Sequence, residues 1–374
     1  LEVVRVSVPA ETRRAYRPGC PYGTHRVLEP EGVLPQAAGR IDNSPEIYDN
    51  EVLVDVRTLN VDAASMRQML LACPPGASRE EQEKIVASTV ADIVAKRGKM
   101  QNPVTGSGGM LLGTVREFGP RAPRRDGAKE GDLIATLVSL SLTPLKIDRI
   151  KRVYLDRDQI DVEGTAVVFE SGPYAAIPPD LGERLALALL DVAGAPAQTA
   201  RLVKPGDTVL VLGAGGKSGL ICTAVAREKA GPGGKVIALA HGKASFERAK
   251  ALGAADVVIS ADARDAVATM NAALAANSGR KADVTVNCVS VPGTEMASIL
   301  STRDGGKVYF FSMATSFTAA ALGAEGVGAD VELIMGNGYA ADHAKIAVSL
   351  LRTNFRLRSI LQEMFPSDPV TSRR

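Results

Sequence analysis

Asp207–Leu220, DTVLVLGAGGKSGL, carries an apolar β-branched run straight into glycines at Gly213, Gly215, Gly216 and Gly219 and then into a helix-forming stretch. Glycine lets the turn tighten and lets the backbone come close to a pyrophosphate, while free N–H groups and the dipole at the helix start favour negative charge. The spacing departs from G-x-G-x-x-G, because Ser218 stands where the third glycine belongs. Gly213, Gly216 and Gly219, with two residues in each gap, preserve the same mechanics. The segment predicts a dinucleotide loop built from Gly213, Gly215, Gly216, Lys217, Ser218 and Gly219.

Outward from this loop the same theme repeats: a short apolar run, a turn of small residues, then an Ala-rich helical stretch. The runs are Thr208 to Leu212, Lys235 to Ala240, Asp256 to Ile259, Asp283 to Cys288, Lys307 to Phe311 and Val331 to Met335. Apolar strands alternating with helices imply a parallel sheet covered on both faces, and six of them suit a doubly wound Rossmann sheet over residues 181–339. A carboxylate is expected at the end of the second strand when the cofactor is NAD; this chain offers Ala240, His241, Gly242 and Lys243 instead. NAD is the expected cofactor, with NADP open, since His241 or Lys243 could meet a 2′-phosphate. Asn287, Cys288 and Val289, and then Phe311, Ser312 and Met313, follow the fourth and fifth runs at the edge where a nicotinamide would lie.

Residues 1–180 have a different texture, with Val and Leu runs broken by Pro, Gly and Asn, as in Ile47 to Leu59, Met110 to Phe118 and Asp132 to Leu142. They read as a β-rich domain interrupted by a surface helix at Ser78 to Arg97, whose Ile85, Val90, Ile93 and Val94 form an apolar stripe. Helices at His343 to Leu351 and Arg358 to Met364 close the chain within residues 340–374 and are expected to pack back on the body, and the tail from Pro366 is expected to fray. Lys and Arg number 44 against 42 Asp and Glu, so no basic surplus is left for nucleic acid or an acidic membrane face. The apolar runs are strand-sized, far below a membrane span. Leu1 to Arg17 holds no uninterrupted apolar core, and the expected location is the cytoplasm. The four cysteines lie far apart, and the three histidines, His25, His241 and His343, are isolated, so no metal site is expected.

Leu59–Asp62 after an early strand, Gly131–Asp132 before another and Lys204–Asp207 before the glycine loop resemble the medium-chain dehydrogenase/reductase superfamily. That resemblance implies an α/β chain with a Rossmann doubly wound parallel sheet plus a β-rich GroES-like catalytic domain. The zinc members carry Gly-His-Glu where this chain has Gly106-Ser107-Gly108, which implies a zinc-free member. Four longer strings, Gly19–Arg26, Asn102–Met110, Leu190–Thr199 and Phe310–Phe317, are similar to the diaminohexanoate dehydrogenase family of lysine fermentation. The resemblance implies NAD(P)-linked oxidative deamination of a small diamino acid, and a homodimer or larger homo-oligomer.

Such a reaction needs a base to free the amine lone pair, acids for two ammonium groups and a cation for a carboxylate. The expected base or amine ligands are Asp191, close in sequence to Thr199, which the superfamily places near the nicotinamide; His25; Glu170 at a strand end; and Glu325 in the Gly-rich stretch Leu322 to Gly328. Arg26 is expected to hold the carboxylate, and Asp62 and Ser107 to line the pocket. Phe310, Phe311, Met313 and Phe317 are candidates for dry walls. A quinone or enoyl reductase of the same superfamily is the alternative, with a chiefly apolar pocket; a nicotinamide-binding protein without turnover is a third.

Overall fold

The computed structural model describes residues 15–336 and 338–367. The charged segment before residue 15, and the expectation of a frayed tail beyond 367, lie outside the described residues.

The first half holds strands β1 (Val27–Glu29), β2 (Arg40–Ile41), β3 (Val52–Asn60), β4 (Met110–Phe118), β5 (Leu133–Thr136), β6 (Leu145–Tyr154), β7 (Gln159–Val168) and β8 (Tyr174–Ala176), with helices α1 (Ala63–Leu71) and α2 (Arg79–Arg97) between β3 and β4. Six strands form an antiparallel sheet in the order β6-β7-β3-β4-β5-β8. Alternation is weak in β3 because its inner face meets a core of Val54, Val56, Leu111 and Val115 while its other face is also covered. In α2, Ser78 and Glu81 form a reciprocal capping box, and Val86, Val90 and Val94 make the buried stripe. Val86 thus takes the place expected of Ile85, one step round the helix. The expected strand to Leu142 stops at Thr136, beyond which the chain turns at Ser139–Thr143.

Helices α3 (Glu183–Asp191) and α4 (Gly194–Leu202) lead into β9 (Thr208–Leu212), α5 (Lys217–Ala230), β10 (Lys235–Ala240), α6 (Lys243–Leu252), β11 (Val257–Ser260), α7 (Ala266–Ala276), β12 (Ala282–Asn287), α8 (Glu295–Ser301), β13 (Thr302–Phe310), α9 (Phe317–Gly326) and β14 (Val331–Met335). The parallel order β11-β10-β9-β12-β13-β14 is the doubly wound Rossmann order, with its switch point between β9 and β12. The last helices, α10 (His343–Thr353) and α11 (Phe355–Met364), pack over α3 to α6 through Leu351, Leu357 and Leu361. Ala344 and Val348 of α10 also join Met110, Leu112 and Leu190, so one apolar cluster ties the two sheets together.

Candidate active site

The chain leaves β9 at Gly213 in the left-handed region, φ 76°, which only glycine adopts without strain. A Cβ at Gly215 would strike the Ser245 carbonyl, and one at Gly219 would strike the Gly213 carbonyl. Gly219, in the first turn of α5, therefore provides the close helix-to-strand contact, which is why Ser218 can occupy the usual third-glycine position. Gly216 begins α5 without a side-chain cap, leaving its first N–H groups for an acceptor from outside the helix. The loop borders a cleft of about 310 Å³ that also meets His241, Cys288, Val289 and Arg67. This cradle fits a dinucleotide phosphate.

At the adenosine end, β10 carries no acid. His241 is exposed on the cleft, while Lys243 is exposed at the start of α6. Asp262 faces the same space, but Arg264 is paired with it at 2.6 Å and holds its carboxyl well below the usual range. At the other end, Asn287 is fully buried and donates to Thr294 Oγ1 and Ser298 Oγ, both at 2.9 Å, while its Oδ1 accepts from Val289 N–H at 3.0 Å. It shapes the loop that brings Cys288 and Val289 to the cleft. Met313 lines a second, adjoining cavity of about 510 Å³ with Gln68 and Thr105. Phe311 packs toward Tyr309 and Phe310 is buried in the sheet, while Ser312 accepts from Ala314 N–H in the following turn. Thr199 is not brought to the cleft: it is fully buried on α4 and donates to the Ala195 carbonyl at 2.8 Å.

Between the sheets lies a cluster of acids around one lysine. Asp191, the last residue of α3, accepts from Lys217 Nζ at 2.8 Å, with 11% and 14% of the two side chains exposed. Burial pushes the Asp191 carboxyl up, against the pull of Lys217. Asp62 caps α1 by accepting from Ser65 N–H at 2.9 Å, and its other oxygen is buried without a partner. Ser107 stands 3.2 Å from Ser65 Oγ, within a hydroxyl trio completed by Thr105. The fourth member, Asp158, sits in the turn between β6 and β7 with φ 57°. Burial drives its carboxyl up to about 6, with Lys217 opposing and Asp191 and Asp62 adding to the rise. Asp158 and Arg67 carry no motif; a polar turn and a helix surface are all their sequence shows. Among the described residues no group of three His, Cys, Asp or Glu is arranged to hold a metal.

Four expected residues lie elsewhere. His25 and Arg26 gather around Glu51, and Glu170 meets the adjacent Asn50, just before β3, whereas Asp62 follows its other end. Nine strand residues at about 3.3 Å each separate the two groups by roughly 30 Å. Arg26 is fully buried and uses all its N–H groups on Glu51 and the carbonyls of Asp42, Ser44 and Glu46, so none remains for a carboxylate. His25 Nδ1 accepts from Cys20 N–H at 2.9 Å, which makes Nε2 the donor to Glu51 at 2.8 Å. Glu170 accepts from Asn50 Nδ2 at 2.9 Å. Glu325 belongs to the last turn of α9, not to a loop, and faces solvent where the chain heads for the start of β14, the edge opposite the cleft.

The two sheets, their strand orders and the glycine cradle define an oxidoreductase of the medium-chain dehydrogenase/reductase fold. Solved structures share it: mycobacterial Rv1454c complexed with NADPH (TM-score 0.54, 17% identity, 87% of this chain and 92% of that one) and a Pseudomonas syringae quinone oxidoreductase (TM-score 0.52, 17% identity, 88% and 86%). The model of the L-erythro-3,5-diaminohexanoate dehydrogenase N-terminal domain matches residues 25–178. Curated L-erythro-3,5-diaminohexanoate dehydrogenases from Acetoanaerobium sticklandii and Fusobacterium nucleatum are 52% and 50% identical, each over 93% of this chain and 99% of the relative. This chain belongs to the L-erythro-3,5-diaminohexanoate dehydrogenase family.

Proposed function

We propose that this chain catalyses NAD(P)-linked oxidative deamination of L-erythro-3,5-diaminohexanoate at C3, giving 5-amino-3-oxohexanoate and ammonia. The observation that carries this reading is the acid cluster of Asp62, Asp158 and Asp191 beside the dinucleotide cleft: two ammonium groups require such a lining, and an apolar quinone would be poorly matched to it. A bound nicotinamide dinucleotide supplies the hydride acceptor. The protein's part is to hold the diamine, free the C3 nitrogen of a proton so that its lone pair can expel hydride, and admit water to the resulting iminium. Arg67 borders both the cleft and the second cavity, and we assign it the substrate carboxylate, the role expected of Arg26.

NAD is the proposed cofactor, and the absence of an acid on β10 leaves NADP admissible. We propose a cytoplasmic homodimer or larger homo-oligomer; β14 is the edge of the parallel sheet, and its Met335 is 63% exposed. No helix among the described residues is long and apolar enough to cross a membrane. The test is to supply 3,5-diaminohexanoate with NAD and, separately, NADP, and to measure reduced cofactor and ammonia. Equal yields of the two products support deamination; reduced cofactor without ammonia rejects it.

A further inference from the structure

We infer that Asp158 is the base that takes the proton from the C3 ammonium; the inference rests on the deamination reading above. Three acids compete for the role, and their surroundings separate them. Asp191 is committed to Lys217, whose ammonium occupies Oδ2 at 2.8 Å. Asp62 spends one oxygen on the Ser65 N–H to cap α1. Among the described residues the Asp158 carboxylate has no hydrogen-bond partner, and it is held in place by its backbone: its carbonyl accepts from Val61 N–H at 2.8 Å, pinning the turn against the segment that carries Asn60 and Asp62.

Two further features point to a polar ligand at this spot. Asp158 is a non-glycine residue in the left-handed region, a conformation that concentrates at functional sites. Near it lie buried polar atoms that the protein leaves unanswered: Asp62 Oδ2, and Oε1 of the fully buried Gln159. Buried groups of this kind are normally satisfied, by protein, water or ligand. Both are acceptors, which suits an ammonium. The charged groups facing Asp158 are Lys217 from α5, Asp191 from α3, Asp62 before α1 and Asp156 in its own turn. Burial, together with three anions against one cation, raises its proton affinity above that of an ordinary carboxylate.

The proton balance is complete. The C3 ammonium gives one proton to Asp158 and becomes a neutral amine; the C3–H bond breaks, its electron pair leaving as hydride to the oxidised dinucleotide, and the nitrogen lone pair forms C=N. Water adds to the iminium carbon, the C–N bond breaks, and ammonium leaves. Asp158 then returns its proton to solvent.

The test uses Asp158→Gly, since glycine tolerates the positive φ and keeps the turn foldable, together with Asp158→Asn, in the full chain with 3,5-diaminohexanoate. A base of this kind contributes about 100-fold or more. Both variants are expected to lose at least that factor in kcat, to lose the acid limb of kcat/KM near pH 6, and to bind the dinucleotide as the parent does; formate should restore part of the Gly variant's turnover. A smaller loss, a retained acid limb or no rescue by formate overturns the assignment while the parent's activity upholds the deamination reading. Failure of the parent itself to release ammonia overturns both.

Discussion

Lys217 Nζ and the Asp191 carboxylate meet at 2.8 Å, joining the first residue of the glycine-loop helix to the last residue of α3, the first of two helices that lead into the parallel sheet. The pair is nearly buried, so neither charge can lose its partner cheaply. Lys217→Met should destabilise the chain by about 3 kcal/mol, because Asp191 is then buried alone, whereas Lys217→Met with Asp191→Leu should recover most of that loss. Urea denaturation of the three variants checks this.

Asp191→Asn keeps the shape of the side chain and removes its charge. Turnover with the diamine is expected to fall by about tenfold or more, through loss of an anionic partner for the ammonium groups, with dinucleotide affinity changed less than about threefold, because the glycine cradle is untouched. Steady-state kinetics alongside calorimetric titration of the cofactor separates the two effects; near-unchanged turnover would remove Asp191 from the reaction.

Gly219→Ala places a methyl group against the Gly213 carbonyl, and backbone on both sides leaves nowhere to retreat. Dinucleotide affinity should drop by about tenfold or more as helix and loop separate. A variant that binds as tightly as the parent would show that the cradle is not formed by this contact.

Arg26 is predicted to matter for folding and not for chemistry. Burial raises the Glu51 carboxyl, but Arg26 and His25 more than reverse this and hold it below the usual range. Arg26→Met strands Glu51 in the interior and should cost about 3 to 5 kcal/mol, leaving the KM of the remaining folded enzyme near that of the parent.

The pH dependence of stability follows from Asp158. Its carboxyl is pushed up to about 6 from 3.8. Between those values the folded chain keeps a proton that the unfolded chain has released, so this group's contribution to stability falls as pH rises across the window. Asp158→Asn should therefore melt higher than the parent above pH 6, and the difference should shrink to nothing below pH 4. Equal melting curves across the range would show that the carboxyl is not desolvated.

The glycine loop and the parallel strands were legible because their signals are local: β-branched runs of strand length, and glycines where a carbonyl or a positive φ excludes a side chain. Asp191, Asp62 and Ser107 could be named because the superfamily resemblance supplies positions for them: Asp191 close to Thr199, Asp62 in the early-strand turn and Ser107 in place of a metal ligand. Asp158 could not, since only the pairing of β7 with β3 carries its turn alongside Val61, some hundred residues away in sequence. His25, Arg26 and Glu170 misled for the converse reason. His25 and Arg26, chemically able side chains in an uncommon string, meet at Glu51, and the strand-end Glu170 meets Asn50 beside it, all at the far end of the sheet.

The ring of Phe365 lies 5.7 Å from Lys217 Nζ, and Pro366 next to it accepts from Arg157, the neighbour of Asp158. The closing segment of the described chain thus acts as a stopper over the charged centre. Fraying at the end of α11 would flood Lys217 with solvent and weaken its hold on Asp191, so amide exchange measured in Phe355–Met364 should report on the integrity of a site contributed almost entirely by residues far earlier in the chain.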